Sequence, residues 1–93
     1  MGRQITVELQ ALEALCHLDC YEETYEYPFM DAWGAEQLGE ETIHFVTVCT
    51  PQWQTITLCA FGRHGCFDCR GPSSPTYWFE EWLTQNKVPF LEG

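Results

Sequence analysis

Two short stretches of this chain carry residue types that could do chemistry at the spacing they have. Cys66-Phe67-Asp68-Cys69 is a C-x-x-C, the spacing at which two thiolates hold one zinc ion from a tight turn. Cys49 and His64 are the candidates to complete a tetrahedron with Cys66 and Cys69, and Cys59 is an alternative ligand. Without metal, the same residues read as loop thiols and as small apolar side chains of a hairpin. The second stretch is Leu18-Asp19-Cys20-Tyr21-Glu22. In an extended peptide, residues i, i+2 and i+4 project from one side. Leu18 and Cys20 can then enter an apolar groove while Glu22 accepts hydrogen bonds at its end, with Asp19 and Tyr21 pointing away. That is the chemistry of a recognition peptide rather than of an active site. Catalytic patterns are missing: there is no glycine-rich phosphate loop, no H-E-x-x-H and no serine, histidine and aspartate at a recognisable spacing. His17, His44 and His64 are scattered, and Gly71-Pro72 interrupts the helix that a redox C-x-x-C requires. The chain is expected not to be an enzyme.

Charge says what such a peptide would meet. The 93 residues carry a net charge of -10. Residues 1–42 hold ten Asp or Glu against Arg3 alone, and residues 43–93 hold four against Arg63, Arg70 and Lys87. So acidic a first half repels nucleic acid and membranes and favours basic protein surfaces, besides keeping the chain in solution. No apolar run approaches the roughly 18 residues of a membrane span, and the amino terminus lacks a secretory signal. A reducing intracellular compartment is therefore expected, with the six cysteines as free thiols or metal ligands. Met1-Gly2-Arg3-Gln4-Ile5-Thr6 fits the acylation pattern M-G-x-x-x-[ST], but no polybasic patch follows to make one acyl chain an anchor.

The elements that must position these residues divide the chain in two. Ile5, Leu9, Leu12 and Cys16 recur every three or four positions, which predicts a short amphipathic helix whose Leu9 and Leu12 form a second docking element. Residues 19–42, rich in Glu, Asp, Gly and Tyr, read as a flexible acidic tether, so residues 1–42 form a partner-docking region. Residues 43–93 read as a compact domain. Ile43–Cys49 and Thr55–Phe61 are β-branched and aromatic and form a hairpin around Thr50–Gln54. Gly62–Ser74 reads as a loop. A helix over Pro75–Gln85 buries Phe79, Trp82 and Leu83 and turns Glu80 and Glu81 to water. The fold class is α+β, a small ββα-like hairpin and helix. Tyr77, Trp78, Phe79 and Trp82 exceed what one helix face buries, which points to a dimer or partner interface in this half.

The order of features, a short helix, L-D-C-Y-E, an acidic segment, then Val46-Thr47-Val48-Cys49 and Thr55-Ile56-Thr57-Leu58-Cys59-Ala60, resembles the papillomavirus early protein seven family over nearly the whole chain. L-x-C-x-E is the pattern with which viral and cellular proteins dock on the pocket of the retinoblastoma tumour suppressor. The resemblance implies a viral, oncoprotein-like adaptor of the host nucleus and cytoplasm. It would bind retinoblastoma-family pocket proteins through Leu18, Cys20 and Glu22 and so deregulate the cell cycle. Asp19, Glu23 and Glu26 would speed encounter with the pocket's basic rim. It also implies a zinc-stabilised homodimer through residues 43–93. The family's paired C-x-x-C is not reproduced: Gln52 stands three positions after Cys49, and no cysteine follows Cys69.

A rival reading is an acidic inhibitor that imitates nucleic acid, such as a blocker of a host (for example phage-defence) complex. Imitation needs carboxylates fixed on a folded surface at phosphate-like spacing, whereas peptide docking tolerates a mobile tether. A third reading is a small zinc-ribbon-like interaction module.

Overall fold

Ile5 and Val7 are fully buried while Gln4 and Glu8 face water, a period of two and not of three and a half. The computed structural model, which describes residues 3–93, accordingly makes Arg3–Glu8 a strand, β1. Only Leu9–Glu13 continues as a helical turn, α1. The expected helix from Ile5 to Cys16 is corrected to a strand and one turn, because the β-branched run Ile5-Thr6-Val7 finds ladder partners on both sides. Gly2, the acylation residue of the amino-terminal pattern, lies outside the described residues.

Six strands form one antiparallel sheet in the order β2-β3-β4-β5-β1-β6: β2 His17–Met30, β3 Glu36–Cys49, β4 Thr55–Phe61, β5 His64–Cys69 and β6 Phe90–Glu92. The expected hairpin is present as the end of β3 with β4, paired from Cys49↔Thr55 to Phe45↔Cys59 around the Thr50–Gln54 connection. The loop expected over Gly62–Ser74 is in part strand β5, turned back on β4 by Gly62 at φ +60 and Arg63, a two-residue connection. The fold is a small, mostly β, α+β domain of six strands rather than a ββα unit.

One face of the sheet carries Ile5, Val7, Val46, Val48, Ile56, Leu58 and Phe67. Against it pack Leu12 of α1 and Phe79, Trp82 and Leu83 of a second helix, α2, over Tyr77–Gln85. Leu12 is fully buried and Leu9 half-buried, so the proposed second docking element is core: one turn of helix cannot turn Leu12 outward without opening the sheet. Phe79 stands edge-on to Phe67 at 5.2 Å and stacks on Trp82 at 5.8 Å, and Tyr77 and Trp78 pack around this cluster within one chain. Glu81 faces water as expected. Glu80 does not, because the Arg3 guanidinium draws it in at 2.7 Å and also reaches Glu92 at 2.8 Å.

No boundary falls at residue 42, since β3 runs unbroken from Glu36 to Cys49. The segment 19–42, expected to be flexible, is the bulk of a hairpin in which β2 and β3 pair continuously from His17↔Cys49 to Met30↔Glu36. Because β4 meets β3 only along Phe45–Cys49, the stretch from Glu22↔His44 outward has no third strand. It projects as an arm from a molecule 54 Å long and 28 Å wide.

Candidate functional site

The arm's chemistry follows from alternation. On one face lie Glu22, Thr24, Glu26, Pro28 and Met30, opposite His44, Thr42, Glu40, Leu38 and Glu36. Glu22 meets His44 at 3.3 Å and the hydroxyls of Thr24 and Thr42 are 3.1 Å apart. Glu26 stands directly opposite Glu40. Like charges at facing positions destabilise a ladder, and no Lys or Arg lies anywhere between Arg3 and Arg63 to relieve this pair.

The other face is aromatic. Tyr21 stacks on Phe45 at 5.4 Å, and Tyr27 and Phe29 follow at 6.0 Å from one another. The Tyr27 ring covers Gly39, whose missing side chain is what admits it: a Cβ there would stand 2.6 Å from the ring. The Tyr25 hydroxyl donates to Glu23, and that hydrogen bond, more than burial, holds the phenol above its ordinary pKa.

The tip is built on Asp31. Its Oδ1 accepts the amides of Trp33 and Ala35, each at 2.9 Å, and its Oδ2 accepts from the Gln37 side chain at 3.2 Å. The Asp31 amide donates to the Ala35 carbonyl at 3.0 Å, and Gly34 takes φ +77 to close the turn. Trp33 is 91% exposed at the turn, and Met30 and Leu38, on one face of the arm, are 69% and 72% exposed. The Ala35 amide, above all, holds the Asp31 carboxyl below its usual pKa, helped by Trp33 and Gln37. A depressed folded pKa contributes stability that is present above the unfolded value of about 3.9 and is lost as pH falls through the folded one. The amide resonances of Trp33 and Ala35 are therefore expected to hold their positions from pH 7 to about 4 and to move and broaden below it, while those of β4 stay fixed. In Asp31→Ala that acid step should vanish.

Of the residues singled out from sequence, Leu18, Cys20 and Glu22 do lie extended along one side of β2, with Asp19, Tyr21 and Glu23 on the other. Cys20 and Glu22 are exposed, and with Leu9, His44 and Ala60 they line a shallow cleft at the base of the arm. Leu18 is half-buried and packs on the core beside Val48, so it is not free to enter a foreign groove while β2 stays paired.

The cysteines are dispersed. In a strand, positions i and i+3 face opposite ways, so Cys69 turns into the core, its thiol donating to Glu80 at 3.2 Å, while Cys66 turns outward beside the Thr6 hydroxyl at 3.4 Å. On β5 the two thiols of the C-x-x-C therefore face opposite sides of the sheet. His64 and Cys59 share the Cys66 face, but Cys49 lies at the far end of the sheet beside Cys16, whose thiol burial pushes up and Cys49 pushes up further. Among the described residues no three His, Cys, Asp or Glu side chains gather at metal-ligand spacing.

Sequence reasoning took Trp33, with Phe29 and Met30, only as apolar enough to contact something and not as the tip of a turn, and it missed the pairing of Glu26 with Glu40. The signal for both was the alternation of Tyr25, Tyr27 and Phe29 running into Asp31-Ala32-Trp33-Gly34, a strand ending in a turn. Compared with known proteins, the chain matches no family model, no curated sequence and no solved structure.

Proposed function

We propose that this chain is an acidic decoy whose arm enters the basic groove of a nucleic-acid-binding protein and blocks it. The observation that carries this reading is that the carboxylates are held in register on a paired hairpin instead of on a loose tether. Glu22, Glu23, Glu26, Asp31, Glu36, Glu40 and Glu41 lie along an arm of about 30 Å, taking ~3.3 Å per strand residue. That is roughly one charge per 4 Å, near the 3.4 Å of a single nucleic-acid strand and sparser than the 1.7 Å of a duplex. One face carries Glu22, Glu26, Glu36 and Glu40, and the other carries the rings of Tyr21, Tyr25, Tyr27 and Phe29 with Glu23 and Glu41 among them, which parallels a single strand in offering both anionic groups for basic side chains and flat rings for stacking. Trp33, held by its amide in the turn and exposed, is the natural anchor at the tip.

The test is displacement of a fluorescent oligo-dT from purified OB-fold single-strand-binding proteins at about 0.1 M salt. Expected is displacement that weakens steeply as salt rises. Trp33→Ala is expected to weaken it about 10- to 30-fold without altering the salt dependence, because it removes an apolar anchor and no charge. No displacement across a panel of such proteins overturns the reading.

A second reading is favoured by one observation: Leu18, Cys20 and Glu22 already lie extended on one side of an edge strand, the shape in which L-x-C-x-E docks on retinoblastoma-family pocket proteins. It requires Leu18 to leave the core, so binding would be coupled to partial release of β2. Calorimetry against the isolated pocket domain decides it: Cys20→Gly with Glu22→Gln should abolish binding, and no binding by the unaltered chain ends this reading.

A further inference from the structure

We infer that the free edge of β2 accepts an extended, basic strand of a protein partner, adding a seventh strand to the sheet. This rests on the reading of the arm as a ligand for basic protein surfaces and names how such a surface is held.

β2 is the outermost strand at one end of the sheet, and it is long. The Asp31 amide bonds the Ala35 carbonyl, so in the unbroken register below it the odd-numbered residues of β2 exchange hydrogen bonds with β3. The main-chain groups of Leu18, Cys20, Glu22, Thr24 and Glu26 consequently point off the edge. Pro28 falls in the same outward set, where its missing N–H costs the ladder nothing. Such a row of unpaired donors and acceptors is a template for another strand.

Charge selects the occupant. β2 carries Asp19, Glu22, Glu23 and Glu26 and no Lys or Arg, and β3 behind it adds Glu36, Glu40 and Glu41. A second copy of this chain laid on the edge would bring carboxylates against carboxylates, a destabilising arrangement. A strand with alternate Arg or Lys would place cations beside Glu22 and Glu26 on one face, and would relieve the facing pair Glu26 and Glu40. The acids thus exclude self-pairing and leave the edge open to a basic strand.

The probes are a short synthetic peptide of alternating arginine and valine and the same peptide with every backbone amide N-methylated, which keeps the charge and removes the ladder. Titration calorimetry at about 0.1 M salt is expected to show the unmethylated peptide binding about tenfold tighter or more, since several main-chain hydrogen bonds distinguish the two. Its binding should slow amide exchange at Cys20, Glu22, Thr24 and Glu26 and leave β4 unchanged. Thr24→Pro, which removes one outward N–H and no main-chain bond to β3, though it also loses the hydroxyl contact with Thr42, should diminish the difference; unaltered β3 amide exchange would show the variant folded. Equal affinities for the two peptides, or a difference undiminished in Thr24→Pro, overturn strand addition and leave the acidic decoy standing. Failure of both peptides to bind overturns the two together.

Discussion

Replacing Glu22, Glu26, Glu36 and Glu40 together by glutamine is expected to weaken displacement of a nucleic-acid strand from a basic groove by about 100-fold or more, and at the same time to raise the melting temperature. The first effect sums four contacts of roughly 0.7 kcal/mol each, typical for charges that remain partly hydrated, and 1.4 kcal/mol is a factor of ten. The second has a separate source. Glu26 faces Glu40 across the ladder and neither makes an ion pair among the described residues, and such a facing pair costs a hairpin about 0.2–1 kcal/mol that glutamine does not. Opposite movements of affinity and stability are the mark of residues kept for binding at a structural cost. Calorimetric binding and thermal melts on the one variant measure both. A variant that binds as well as the parent would remove the acidic arm from the function.

Phe79→Ala is expected to cost about 3–5 kcal/mol, the range for emptying a fully buried aromatic site. Phe79 has no exposed surface and touches Phe67 from the sheet and Trp82 from its own helix, so its loss opens the contact between α2 and β5 from both sides. A domain of this size has about 5–14 kcal/mol in all, which places the variant near the edge of folding, with a melting temperature lower by about 15 °C or more. Urea titration followed by far-UV circular dichroism measures it. The consequence reaches the arm, which owes its fixed register to strands anchored in this core. Unfolding of the core while the β2–β3 pairing persists would show that the arm is independent of it.

How much was legible differs element by element. The β3–β4 hairpin and the α2 face of Phe79, Trp82 and Leu83 were readable because their patterns are local: β-branched runs around a turn, and an apolar stripe ended by Pro89. β1 was misread because Ile5, Leu9, Leu12 and Cys16 fit a helical period as well as Ile5 and Val7 fit a strand, and only the ladders on either side decide between them. β5 was hidden by its glycine and its C-x-x-C, which signal a loop until Cys66 is seen opposite Cys59. The acidic segment looked like a tether because glutamate is a poor strand former alone. It became a strand through pairs that no local window contains: Tyr21 with Phe45, Thr24 with Thr42 and Tyr27 over Gly39.

By itself, the order of amino acids determined the acidity of the first half, the extended L-D-C-Y-E with Leu18, Cys20 and Glu22 on one side, and the chemistry of the core. These depend on side-chain identity and on the twofold repeat of a strand, which are local. Tertiary structure alone decided that Leu18 packs inward, that Cys66 and Cys69 part to opposite faces, and that the carboxylates stand fixed on an arm with a free edge. Those are properties of register, and register is set by which strands meet across long sequence separations, where core burial and main-chain hydrogen bonding outweigh local preference.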